Sequence, residues 1–209
     1  MALSDLYSNV HLLLRWLHVL AGIIWIGHLY FFNFVNVPFQ GKLTPDVKKA
    51  VNPELLPRAL FWFRWGAMFT FVIGLLLFTQ IYMYRGDGNF GPSALFSDEA
   101  GLTARAVWIL MGMTLGTIMW FNVWFIIWPA QQKIIRGVRD GKPADAALPK
   151  RALMASRINA YLSGPMLFGM LAPSHYGGIN VVTAVIAIVL GAAVIWHFIG
   201  ISPKVGSSI

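Results

Sequence analysis

The sequence predicts an all-α integral membrane protein, a bundle of about five transmembrane helices. Three observations carry this. The 209 residues are 57% hydrophobic and only 11% charged, whereas a soluble domain carries roughly 25% charged residues. Mean hydropathy is +0.65. Apolar runs long enough to cross a bilayer, about 20 residues each, recur between short polar connections. One transmembrane domain over residues 1–209 accounts for the whole chain.

The spans follow in order. The first covers about 11–37 and is expected to stop near Pro38. The second covers about 59–84 and the third about 104–128, stopping at Pro129. The fifth covers about 179–201. The fourth, about 151–171, is less apolar and holds Arg157, Asn159, Ser163, Gly164 and Pro165. Such a helix is tolerated where its polar face meets other helices or a ligand, and Pro165 predicts a kink. The N-terminal MALSDLYSNV has no basic stretch and no small-residue cleavage site, so the first span is expected to stay as an anchor.

Lysine and arginine alternate between the two sides. One side gathers Lys42, Lys48, Lys49, Arg58, Lys133, Arg136, Arg139, Lys142, Lys150, Arg151 and Lys204, and the other only Arg85 and Arg105. The rich side is expected to be cytoplasmic, with the N-terminus outside and the C-terminus inside. The net charge of +8 therefore reads as topology, and no aromatic–basic nucleic-acid motif accompanies it. Trp62, Trp65, Tyr82, Tyr84, Trp108, Trp124 and Trp128 lie near span ends, as in an interfacial aromatic belt.

Small residues at Gly112 and Gly116, and at Ala184, Ala187 and Gly191, suit close helix packing. A parallel internal duplication is also suggested. Span one ends Phe32-Asn33-Phe34-Val35-Asn36-Val37-Pro38-Phe39-Gln40, and span three ends Phe121-Asn122 and Trp128-Pro129-Ala130-Gln131. Span two carries Arg64 and Ala67 where span four carries Arg157 and Ala160.

Cysteine is absent. That excludes disulfides, thiolate metal ligation by this chain and covalent c-type haem attachment. The acidic residues lie outside the spans, which argues against a proton pump built on buried carboxylates. No G-x-S-x-G, Walker loop, H-E-x-x-H or Gly-rich nucleotide fingerprint occurs.

Polar side chains inside a bilayer cost several kcal/mol unless a partner or cavity takes them. They are the best pointers to a site. The histidines suggest two layers: His11 or His18 with His175 in the outer half, and His28 with His197 in the inner half. Each layer offers two imidazoles from different helices, as the axial ligation of a b-type haem requires. His18 and His175 are the first candidates for iron ligands, and Arg15 for the propionates. Arg64 and Arg157 would serve an inner haem in the same way. The plainer explanation of these histidines is interfacial placement or helix–helix hydrogen bonding.

A second set, Asn33, Asn36, Arg64, Asn122, Arg157 and Asn159, is expected in the cytoplasmic half. Arg64, Arg157, Asn159, Asn33 and Asn122 would suit an anionic, hydrogen-bond-rich substrate. Alternatively the arginines snorkel and the asparagines cap helix ends.

Several stretches carry a family resemblance. Trp16-Leu17-His18-Val19-Leu20-Ala21-Gly22-Ile23-Ile24-Trp25-Ile26-Gly27, with Tyr30-Phe31-Phe32-Asn33-Phe34-Val35-Asn36, resembles the first helix of the urate oxidase N-terminal membrane family. Phe63-Arg64-Trp65-Gly66-Ala67-Met68-Phe69-Thr70 resembles its second helix. Later segments are similar at Ile126-Ile127-Trp128-Pro129 with Gln131, and at Ala155-Ser156-Arg157-Ile158-Asn159 through Pro165-Met166-Leu167-Phe168 to Ser174-His175. That family includes the membrane domain of the bacterial cytochrome-c-linked urate hydroxylase. The resemblance implies a bacterial inner-membrane protein tied to redox chemistry, with His18, Arg64, Arg157, Asn159 and His175 as matching positions. With no C-x-x-C-H in this chain, electrons would pass to a separate carrier such as a cytochrome c, among other membrane or periplasmic subunits.

The leading expectation is a haem-binding or redox-coupled membrane subunit of an electron-transfer complex. The alternatives are an accessory subunit without cofactor and a urate- or purine-hydroxylase-like oxidoreductase. No nucleic acid is expected as a partner.

Overall fold

Helices form wherever the chain is apolar enough that every backbone group must find its partner inside its own segment. In the computed structural model the described residues are 5–84, 90–97, 101–142 and 145–205. Arg85, counted above on the outer side, lies outside them. The described residues build an all-helical bundle of five long helices: α1 (Leu6–Lys42), α2 (Pro45–Met83), α3 (Ala104–Arg139), α4 (Ala147–His175) and α5 (Val181–Ile201). Four of them, all but α4, are long and apolar enough to cross a membrane. A two-residue antiparallel pairing, β1 (Phe96–Ser97) with β2 (Gly101–Leu102), sits in the α2–α3 connection.

The helices overrun the expected span ends. Neither Pro38 nor Pro129 stops its helix. A proline ring clashes with the carbonyl four residues back, and both helices widen ahead of it into a six-residue π segment, Phe31–Asn36 in α1 and Asn122–Ile127 in α3. The Val37 N–H then donates to the Phe32 carbonyl and the Trp128 N–H to the Val123 carbonyl, five residues back in each case. With the strain taken up there, α1 continues to Lys42 and α3 to Arg139. At the other end α2 begins at Pro45 rather than near Ala59, and α4 runs through both Pro165 and Pro173.

The same device at the same place supports the duplication. Aligning Pro38 with Pro129 also aligns the two π segments end to end and pairs Gln40 with Gln131. Aligning Arg64 with Arg157 pairs Ala59 with Ala152, Gly66 with Asn159, Ala67 with Ala160 and Thr70 with Ser163, all eight of them buried. The most extensive interfaces are α1 with α2 and α3 with α4, so the bundle is two like hairpins plus α5.

The central core joins Trp25, Leu29, Leu60, Phe63, Ala67, Met119, Val123 and Met166, from α1, α2, α3 and α4. Close approach elsewhere depends on glycine. A Cβ on Gly112 would stand 3.0 Å from the Gly169 backbone, and one on Gly191 would stand 2.6 Å from the Pro165 nitrogen. The small-residue faces of α3 and α5 are thus used against α4 inside the chain. What remains outside is large and apolar: Val181, Val182, Val189, Leu190 and Trp196 on α5 are exposed, as a lipid-facing surface requires.

Two residues of the expected aromatic belt lie in the interior instead. Trp108 is 0% exposed, because its indole N–H reaches the Gly178 carbonyl at 3.0 Å, and Tyr82 is 4% exposed beneath Arg105. Trp62 and Tyr84 remain at the surface.

Candidate functional site

The asparagines hold helices together. Asn122 donates from Nδ2 to Asn159 Oδ1 at 2.8 Å, and Asn159 Nδ2 donates to the Met119 carbonyl at 2.9 Å. Asn33 Nδ2 donates to the Leu29 carbonyl and to Ser156 Oγ, each at 2.9 Å. Asn36 accepts from Gln40 Nε2 at 3.4 Å, and Gln40 and Asn52 exchange two amide hydrogen bonds across the α1–α2 turn. Ser163, also on the polar face of α4, meets the Tyr30 hydroxyl of α1 at 3.0 Å. The polar face that made the fourth span improbable as a lipid-exposed helix is therefore turned into the bundle.

The arginines differ. The Arg64 guanidinium carbon lies 3.8 Å from the centroid of a Trp128 ring, with Phe61, Trp65 and Trp124 rings about 6 Å away. The Trp124 indole N–H donates to the Arg64 carbonyl at 3.2 Å. Arg64 Nε and Arg157 Nη1 are buried without a hydrogen-bond partner. The ion pairs among the described residues are Arg58–Glu54 and Arg139–Asp140, so no carboxylate neutralises either arginine there. Aromatic faces supply the stabilisation for Arg64, about 0.5–2 kcal/mol for a cation over a ring.

Each histidine has a distinct setting. His11 Nε2 lies 3.1 Å from Arg15 Nη2. A guanidinium only donates, so this nitrogen accepts and His11 is neutral in that contact. His18 is half-buried against α2, where Gly74 clears its place: a Cβ there would stand 2.9 Å from the ring's Cε1. His18 Nδ1 is buried with no partner. His28 Nδ1 meets the Ile24 carbonyl at 2.7 Å, and His175 Nδ1 meets the Leu171 carbonyl at 3.0 Å. Carbonyls only accept, so Nδ1 of both rings is a donor, and in the neutral ring Nε2 is then the nitrogen left free to ligate. His197 is exposed on α5 beside Phe198.

The structure brings some of the expected site residues together and leaves others apart. Asn122 meets Asn159, and Asn33 reaches α4 beside Arg157. No hydrogen bond or ring contact joins two histidines among the described residues, where no cluster of three metal-ligating His, Asp or Glu side chains occurs either. His18 faces α2, and His175 stands at the exposed end of α4. Sequence reasoning missed Ser156 and Gly74. Ser156 was signalled by its place next to Arg157 in a polar run, whereas nothing in the sequence set Gly74 apart from the other glycines.

Residues 92–206 match the family model described as urate oxidase N-terminal. The chain belongs to the urate oxidase N-terminal family. The match covers α3, α4 and α5, more than half of the chain. It includes Ile126–Pro129, Arg157, Asn159 and His175, while His18 and Arg64 of this family member precede it. No curated protein and no solved structure matches the chain.

Proposed function

We propose that this chain is a haem-binding, redox-coupled subunit of an electron-transfer complex in the bacterial inner membrane. The observation that carries the reading is the shared setting of His28 and His175. Each donates Nδ1–H to the carbonyl one turn back, the outer-sphere bond by which a metal-ligating imidazole is oriented and made more basic. His18 adds a half-buried imidazole whose Nδ1 has no hydrogen-bond partner and whose Cε1 lies nearest Gly74. His18, His28 and His175 are the residues that would hold haem iron. His11, engaged with Arg15, fits a propionate-side role better than an axial one. A bound b-type haem would supply one-electron transfer. The chain's own part is to hold these imidazoles in fixed orientations, His18 and His28 half-buried in the bundle and His175 at the exposed end of α4.

A urate-like substrate held by Arg64, Arg157 and Asn159 draws less support. Both polar ends of the Asn159 amide are taken by α3, through Asn122 and the Met119 carbonyl. The accessory reading is weakened in one respect: the small-residue faces it would present to a partner are covered within the chain. Difference spectroscopy of the purified chain and of its His28→Ala and His175→Ala variants tests the haem reading.

The proposed topology has five spans, α4 included, with the N-terminus outside. The interior position of Asn159, which is 0% exposed, supports counting α4 as a span. Because native cysteine is absent, single introduced thiols report cleanly. In intact cells an impermeant maleimide is expected to label Leu102→Cys and to leave Lys142→Cys unlabelled until the membrane is opened. The reverse pattern would invert the topology.

A further inference from the structure

We propose that the outward-facing groove between α1 and α2 binds one phospholipid with a zwitterionic, primary-amine headgroup, drawn from the leaflet at the Lys/Arg-rich side. The deep part of the groove, about 430 Å³, is lined by Ala21, Ile24, Phe61, Trp62, Trp65, Gly66 and Phe69. It is apolar along its length and opens to the lipid-facing surface, where Phe61, Trp62 and Phe69 are exposed. Its floor exists because Gly66 has no side chain: a Cβ there would stand 3.0 Å from Ile24 Cγ2 and from the Trp25 backbone nitrogen. A straight hydrocarbon chain matches such a slot and gains by covering apolar wall that lipid packs imperfectly.

At its end the groove passes, through the shared Phe61 and Trp62, into a mouth lined by Pro53, Glu54, Pro57 and Arg58. That mouth carries one anion and one cation, Glu54 Oε2 and Arg58 Nη1, 2.7 Å apart on successive turns. Both side chains are mostly exposed, at 74% and 72%, so the pair is weakly held and open to exchange. A phosphate takes the guanidinium, and the neighbouring ammonium takes the carboxylate. An anionic headgroup would leave Glu54 facing a like charge. A trimethylated amine would have no N–H to donate to it. Trp62, one turn from Arg58, is the residue type that marks headgroup level. This inference is independent of the histidines and stands or falls apart from haem binding.

The test reconstitutes the full chain in vesicles of phosphatidylethanolamine, phosphatidylglycerol and phosphatidylcholine in equal parts. Native mass spectrometry after gentle extraction then counts the lipids retained. The wild type is expected to keep one phosphatidylethanolamine per chain. Glu54→Gln should lower its preference over phosphatidylglycerol about two- to fivefold, the scale of one exposed charge pair. Ile24→Trp, which fills the groove and leaves the mouth intact, should abolish retention of every lipid. Circular dichroism of both variants is expected to match the wild type, because Glu54 is exposed and Ile24 half-buried. Retention of phosphatidylglycerol or phosphatidylcholine as readily as phosphatidylethanolamine by the wild type overturns the proposal. So does an Ile24→Trp variant that still holds its lipid.

Discussion

Replacing Gly191 by leucine is expected to release α5 from the bundle. At that crossing Gly191 and Gly164 face each other backbone to backbone. A Cβ on Gly191 would meet the Pro165 nitrogen at 2.6 Å and the Gly164 carbonyl carbon at 2.8 Å. Neither neighbour is a flexible side chain that can swing away, so the helices must separate. Overpacking a tolerant core costs about 1–3 kcal/mol, and a backbone obstruction costs at least the upper end of that range. In a membrane the loss is not offset by a hydrophobic penalty for parting, because lipid tails cover the exposed faces as well as protein does. The readout is protease accessibility of the C-terminal segment in detergent, together with thermal unfolding. Gly200→Leu is the control. It lies on the same helix with no atom within 4 Å of its Cβ position, and it should behave as wild type.

The second large effect is expected at Asn159. Leucine there removes the acceptor of Asn122 Nδ2 and the donor to the Met119 carbonyl, both buried. An unsatisfied buried polar group costs about 1–3 kcal/mol, and interhelical hydrogen bonds in membranes average about 0.6 kcal/mol with a maximum near 1.7. Two bonds lost at a site that is 0% exposed put Asn159→Leu near 2–3 kcal/mol. Asn33→Leu should cost less. Its Oδ1 already lacks a partner in the folded chain, and its Nδ2 bond to Leu29 lies within its own helix. Unfolding in mixed micelles at rising dodecyl sulfate fraction ranks the two. Equal destabilisation would mean that Asn33 Oδ1 has a partner that the bundle conceals.

Hydrophobic run length was enough to find four of the helices, because bilayer thickness sets that length directly. The fourth span showed in the sequence as a contradiction, an apolar segment carrying Arg157 and Asn159. The structure resolves it by turning Asn159 and Ser163 toward α3 and α1. Helix ends were misread at Pro38 and Pro129 for a specific reason. A proline rule assumes the preceding turn is α-helical, and here that turn is a π segment with no residue signature of its own. The suggested duplication rests in the sequence on Pro38 and Pro129, Gln40 and Gln131, and the two arginines, and the matching π segments ahead of the two prolines support it.

At the site the residue types were legible and the pairings were not. Histidine depth follows from counting at about 1.5 Å per residue. Which face a histidine presents depends on helix rotation, which the nearly uniformly apolar α1 and α5 barely encode. His18 accordingly faces α2 through Gly74 rather than being shown to meet His175. The aromatic seat of Arg64 is the converse case. Trp124 and Trp128 were read as belt residues, and their second role against Arg64 appears only when α2 and α3 are packed.

The central claim, that these imidazoles bind haem, is tested most directly by a dithionite-minus-air difference spectrum of the gently extracted chain, with a pyridine haemochrome assay for stoichiometry. The expected result is a b-type α-band with at least one haem per chain, lost or shifted in His28→Ala or His175→Ala while circular dichroism is unchanged. A folded chain that carries no haem when expressed with haem in excess, or whose α-band survives alanine at His18, His28 and His175 together, would contradict it.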